Sequence, residues 1–313
     1  MDACRCMVKM KSSIPTVLLT GAAGQLGFDL RRSLAPIARI VATDRSTCDL
    51  ADADSIRRVV RDVRPDVILN AAAYTAVDKA EVESELAFAI NGVAPGILAE
   101  EAKAFGALLV HYSTDYVFDG GKDGWYLEVD PPAPRSVYAA SKLAGERAIE
   151  AVGGAAWVFR TSWVFSAHGS NFAKTMLNIA RKSDRLRVVS DQIGAPTSSA
   201  LVADVTAHAL REGWLCVEAD RRRAGFDLFH LAAAGETNWY EYAREVVGFM
   251  QSRGMTTRVH ADEIVPILTA EFPLPASRPK NSRLDTRKLR ETFGLHLPDW
   301  KDGLHHVLEQ LLD

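Results

Sequence analysis

Five short runs of apolar and β-branched residues, Thr16 to Thr20, Ile40 to Thr43, Val67 to Asn70, Leu108 to Tyr112 and Trp157 to Arg160, recur through the first half of the chain with helical patterns between them. Each run is almost continuously apolar rather than alternating. A strand built from it must be covered on both faces, and crossover helices between successive strands supply that cover. The pattern predicts an α/β fold, a doubly wound parallel sheet of the Rossmann type. The crossovers read as helices over Gln25 to Leu34, Ser55 to Val63 and Asn91 to Phe105, followed by a longer helix over Ser136 to Ala151.

After about residue 165 the texture changes. Asp191 to Thr197 and Phe272 to Pro279 are rich in turn residues, and shorter helical patterns, Leu201 to Arg211 and Trp239 to Met250, lie between them. The expected organisation is a disordered leader over residues 1–13, a dinucleotide-binding domain over 14–165, and a smaller C-terminal substrate-binding lobe over 166–313. Phe226 to Leu231 is expected to return as a strand to the main sheet.

A chain of 313 residues, 48% hydrophobic, has enough apolar side chain for one large core and a smaller one. Its net charge of -3 gives no basic field for nucleic acid, and no run of about 18 apolar residues suits a membrane. Cys4, Cys6, Cys48 and Cys216 are too scattered for a disulfide framework or a zinc site, which points to a reducing, cytoplasmic setting. No histidine and carboxylate cluster has metal-ligand spacing, so no metal is expected.

Gly21-Ala22-Ala23-Gly24-Gln25-Leu26-Gly27 follows the first strand directly. Glycines there let a phosphate approach the backbone, and the N–H groups opening the next helix point at it, Gln25 and Leu26 included. The second run ends at Asp44, seventeen residues past Gly27, where a carboxylate accepts from the adenosine ribose of NAD. Arg45 beside it is equally suited to the 2′-phosphate of NADP, so both NADPH and NADH remain open as cofactor. Asp49 and Leu50 fall where a loop meets the adenine, and Ala71, Ala72 and Ala73 close the third run with side chains small enough to admit a dinucleotide.

Tyr138 and Lys142 stand four residues apart, one helical turn, so they share a face on which an ammonium can stabilise a phenolate. Reduction of a ketone needs a proton donor and a group to hold the oxygen as charge develops on it. Tyr138 is the donor, and Thr114, at the carboxyl end of the fourth run, supplies a hydroxyl for the oxygen. His111, inside that run, reads as a core histidine, and Asp115 and Asp119 as loop-shaping residues.

With the longer strings Asn70 to Glu81, Ser113 to Gly120, Arg160 to Phe165, Asn171 to Met176, Asp191 to Thr197 and Ala276 to Leu284, the chain resembles the extended short-chain dehydrogenase/reductase superfamily. Within it the resemblance is to the dTDP-4-dehydrorhamnose reductase family, from about Thr16 to the C-terminus. The resemblance implies Thr114, Tyr138 and Lys142 as catalytic residues. It places Trp163, Asn171, Lys174, Gln192 and Arg278 beside a nucleotide-sugar whose C4 ketone is reduced by NADPH or NADH. Arg278 has the fork geometry for a diphosphate, Trp163 a face for a sugar or base, and Lys174 a second positive charge. Ala139 stands where the family usually has glycine, one added methyl on a helix. Relatives that pair through a metal hold it with carboxylates; Thr197 to Leu201 offers none, which argues against a metal-bridged homodimer and leaves a homodimer open.

Three other readings share these motifs. Dehydratases of nucleotide-sugars carry Thr-Asp-Glu where this chain has Thr114-Asp115-Tyr116, and so retain an acid/base group absent here; epimerases reuse the Tyr/Lys pair. A non-catalytic binding subunit resembling the methionine adenosyltransferase β subunit keeps the scaffold, but the intact Thr114, Tyr138 and Lys142 set favours an enzyme.

Overall fold

The computed structural model describes residues 14–215 and 224–312; the expected leader, residues 1–13, lies outside them, as does Cys216. Six parallel strands form the central sheet: β1 Thr16–Thr20, β2 Arg39–Ala42, β3 Val67–Asn70, β4 Leu108–Thr114, β5 Ala156–Thr161 and a sixth strand, Phe226–His230. They lie in the order β2, β1, β3, β4, β5, sixth strand. Helix α1, Gln25–Leu34, carries the chain from β1 outward to β2, and α2, Ala53–Val63, carries it back past β1 to β3. The order therefore reverses between β1 and β3. In an open parallel sheet such a reversal leaves a crevice at the carboxyl ends of the strands, here bordered by Gly21 and Ala71.

The continuous apolar runs have the cause inferred for them. Leu18, Ile68, Leu109 and Val158 are buried in a cluster on one face of the sheet. Val17, Leu19, Val67, Leu69, Val110, Trp157 and Phe159 are buried in another on the opposite face. A third core, around Phe165, Met176, Tyr242, Val246, Trp300 and Leu304, lies beneath the later part of the chain. Among the described residues no helix is long and apolar enough to cross a membrane.

One crossover departs from its expected form. The helix predicted from Asn91 is an α-helix only over Ala94–Phe105, preceded by a π-turn at Ala89–Val93 and a short helix at Ser84–Phe88. Pro95 lacks the N–H that the Asn91 carbonyl would accept in an α-helix, so the wider turn is the local solution. The turn leaves the Asn91 side chain on the Tyr74 backbone and Ser141 Oγ. The helix carrying Tyr138 and Lys142, Val137–Val152, is capped by the Ser136 hydroxyl, which accepts from the Ala139 N–H at 3.2 Å.

Candidate active site

Gly21 has φ +69°, and a Cβ there would come within 2.7 Å of the Ala72 backbone; at Gly27 it would lie 2.1 Å from the Gly21 carbonyl oxygen. Any side chain at either position would disrupt the loop where β1, β3 and α1 converge. Helix α1 begins at Gly24 with no side-chain cap and no acid in its first turn, so its N–H groups there are not satisfied by a side chain. This cradle, with half-buried Ala71, Ala72 and Ala73 opposite and Gln25 and Leu26 in the first turn, fits a pyrophosphate.

At the end of β2 the Asp44 carboxylate accepts from the backbone and hydroxyls of Ser46 and Thr47, which hold it below its usual range. Arg45 is exposed and 3.9 Å from Asp49. Leu50 is buried in the core rather than presented to the crevice.

Thr114 and Tyr138 meet. The Tyr138 hydroxyl hydrogen-bonds Thr114; burial pushes the phenol up to about 12, Thr114 acting against that rise and the charge of Asp115 adding to it. Lys142 departs from expectation. Its Nζ donates to the Tyr112 carbonyl at 2.6 Å and lies 3.0 Å from His111 Nε2, partners supplied by β4 beneath the helix. Tyr138 is not among these contacts, and Lys142 does not lower the phenol in the free chain. Lys142 is itself brought down to about 8 by burial, with Glu146 pulling it back up.

Asp115 does more than shape a loop. It is buried, bonded by Thr114 and Ser282, and burial pushes its carboxyl up to about 7. The Tyr116 ring stands edge-on to Tyr138 with centroids 5.9 Å apart, and Arg278 reaches Tyr116 from the C-terminal loop. Arg278 also forms a two-pronged pair with Asp78, at 2.6 and 2.7 Å. Asp119 accepts from the Gly121 N–H and the Tyr126 hydroxyl, a loop-shaping role.

The other expected substrate residues are engaged within the protein. Asn171 caps its helix through the Lys174 N–H and donates to Gln25 Oε1 at 2.9 Å and to the Ser166 carbonyl, while Lys174 Nζ donates to the Ala167 carbonyl. These two therefore border the Gly21–Gly27 loop. Trp163, with φ +49°, stacks on Trp239 at 3.8 Å, and Gln192 accepts from the Trp239 indole and donates to Thr269. Of the five, Arg278 is the one that meets Tyr116, whose ring in turn meets Tyr138.

A family model described as the RmlD substrate binding domain matches residues 15–312. A dTDP-4-dehydrorhamnose reductase of Burkholderia thailandensis is 44% identical over 296 residues, covering 95% of this chain and 99% of that protein. The chain belongs to the dTDP-4-dehydrorhamnose reductase family. The reductase of Escherichia coli K12 is likewise 44% identical, over 94% of this chain and 97% of its own length. The crystal structure of the dTDP-4-dehydrorhamnose reductase of Bacillus anthracis in complex with NADP superposes with a TM-score of 0.84 at 33% identity, covering 95% of this chain and all of that one.

Three residues at this reductase-family site escaped the sequence reading. Asn91 accepts from the Tyr74 N–H and donates to the Tyr74 carbonyl and to Ser141 Oγ, pinning the loop after β3 against the helix that carries Tyr138 and Lys142. Its signal is an amide four residues before a proline inside a helical pattern. Asp78, the partner of Arg278, carries no local signal. His111 reads as a core histidine and is buried as such, but its partner is Lys142.

Proposed function

We propose that this chain reduces the C4 ketone of dTDP-4-dehydro-L-rhamnose to dTDP-L-rhamnose with NADPH or NADH. The observation that carries the reading is the meeting of Tyr138 with Thr114 at the carboxyl end of β4, beside a phosphate cradle at the strand-order reversal. The name shared by the relatives supports the substrate, and the NADP of the Bacillus anthracis structure supports the cofactor.

The residues would hold the dinucleotide through the Gly21–Gly27 loop and the N-terminus of α1, with Lys142 at the ribose. Bound there, the nicotinamide supplies the hydride. Tyr138 gives its proton to the oxygen that becomes the alcohol. Even a phenol held at about 12 serves, because an alkoxide is the stronger base. The Thr114 hydroxyl, already on the Tyr138 oxygen, can bond the substrate oxygen as its charge grows. Arg278 would hold the diphosphate, with Trp163, Asn171, Lys174 and Gln192 shaping the surrounding lobe rather than all touching the ligand.

Loss of nicotinamide absorbance on mixing the protein, NADPH or NADH and the dTDP-keto-sugar is the expected result. If neither cofactor is consumed, the reductase reading falls; an epimerase or dehydratase would turn over substrate without net consumption. Tyr138→Phe should lower turnover by roughly a hundredfold or more while cofactor binding is kept.

A further inference from the structure

Four buried side chains join end to end beneath the site. Thr20 Oγ1 donates to Asn70 Oδ1 at 2.7 Å, Asn70 Nδ2 lies 3.0 Å from His111 Nδ1, and His111 Nε2 lies 3.0 Å from Lys142 Nζ. None is more than 2% exposed. Thr20 ends β1 and immediately precedes Gly21, so the file runs from the foot of the phosphate loop, across the end of β3 and the middle of β4, to the catalytic helix.

The hydrogens along such a file must agree in direction. The Asn70 Nδ2 group has only hydrogens to offer, so in the arrangement present His111 Nδ1 accepts and the ring proton is on Nε2. Nε2 then donates to Lys142, which must be a neutral amine with a lone pair, its own hydrogen going to the Tyr112 carbonyl. An ammonium has no lone pair. When Lys142 is charged, Nε2 has to accept, the ring proton sits on Nδ1, and the Asn70 amide turns over to receive it on Oδ1 and donate from Nδ2 to Thr20. The two arrangements differ by one proton, taken up from solvent on passing from the neutral amine to the ammonium.

We propose that His111 is a positioning residue for Lys142, and that its ring tautomer, set through Asn70 and Thr20, switches with the charge on Lys142. This deepens the reductase reading and rests on the role given there to Lys142. The surroundings place the switch near neutral pH. Burial brings Lys142 down to about 8, and Glu146, one turn along the helix, opposes that. Arg160 of β5 pairs with Glu146 at 2.6 Å, and Tyr112 of β4 is kept protonated by burial. His111 stays uncharged because burial and the neighbouring Lys142 both lower it.

The test is ¹⁵N NMR of the full chain with labelled histidine, without substrate, as pH is raised through about 8. The His111→Gln spectrum identifies the His111 signals among the eight histidines. The expected result is a change from Nδ1–H to Nε2–H with pH, abolished in Lys142→Met. A single tautomer throughout, or a charged ring, overturns the proposal. In turnover, His111→Phe should lose about tenfold or more and move the pH limb of kcat to lower pH, whereas His111→Gln, which keeps an acceptor, should restore both in large part. Equal losses with the limb unmoved would mean a purely structural role and also overturn it. The NMR outcome is independent of turnover: a tautomer change in a protein that oxidises no cofactor overturns the reductase reading alone, while a fixed tautomer in an active enzyme overturns this proposal alone.

Discussion

Asp115 lies next to Thr114 with Oδ2 buried and without a hydrogen-bond partner. Its carboxyl is pushed up from 3.8 to about 7, chiefly by burial. The folded chain thus binds a proton more tightly than the unfolded one. This contribution to stability is fully present below pH 3.8 and is lost as pH rises through about 7. At about one and a third kcal/mol per unit, the charged carboxylate costs on the order of 4 kcal/mol above that window. Asp115→Asn mimics the protonated group and removes the dependence. The urea midpoint of the variant should exceed that of the parent at pH 8 and approach it near pH 4. A variant less stable than the parent at pH 8 would show that the carboxylate is compensated by a group other than those facing it, Thr114 and Ser282. Lys142 is strained by the same burial in the opposite sense, and both sit where proton transfer is proposed.

The helix Val137–Val152, which carries Tyr138 and Lys142, owes its position to a close approach. A Cβ at Gly145 would stand 2.1 Å from the Asn91 carbonyl oxygen of the π-turn and 3.1 Å from the Pro95 ring. Alanine would favour the helix itself by about 1 kcal/mol. Forcing backbone apart in a packed interior costs about 1–3 kcal/mol or more, so the clash wins. Gly145→Ala should lower the thermal midpoint and, by moving Ser141 off Asn91, reduce turnover; a midpoint that stays or rises would refute the packing argument. The sheet strands were legible in the sequence because burial on both faces leaves a continuous apolar run, and the Tyr138/Lys142 pair was legible because one helical turn fixes their shared face. The π-turn was not, since helical periodicity persists through it and only Pro95 signals the break. Nor was the direction of Lys142, whose partner His111 stands 31 positions earlier on another element. Contacts of that separation are set by strand order, which local pattern does not encode.

Across the whole molecule the early and later halves share an apolar cluster, Leu30 and Leu34 with Val202, Val205 and Leu210, and a strand pairing of Phe226–His230 on β5; polar joints add to these: Asn171 on Gln25, His168 on the Ala23 carbonyl and the Phe28 ring, Ser166 and Ser199 on Asp29, and Arg278 on Asp78. The first three polar joints brace the Gly21–Gly27 loop and the first turns of α1. The last spans 200 positions and fixes the guanidinium beside Tyr116, with Arg278 Nη1 also donating to the Ala276 carbonyl and the Ala276 N–H donating to Asp78. Two readings of this joint make opposite predictions. If Asp78 merely competes with a diphosphate for Arg278, its removal should lower KM. If it aims the guanidinium, removal should raise KM, because a loosened arginine must be reordered on binding. The two-pronged geometry and the shared Ala276 contact favour aiming. Asp78→Asn, which keeps the shape and drops the charge, should raise KM for the nucleotide-sugar about tenfold, equivalent to about 1.4 kcal/mol, with kcat within about twofold and cofactor affinity unchanged. Arg278→Lys, which loses the fork, should do the same, and the double variant should be little worse than either single one, since both remove one interaction. Steady-state kinetics on the four proteins decides it: a lowered KM in Asp78→Asn establishes competition, and additive losses in the double variant would show that the pair does not act as a unit.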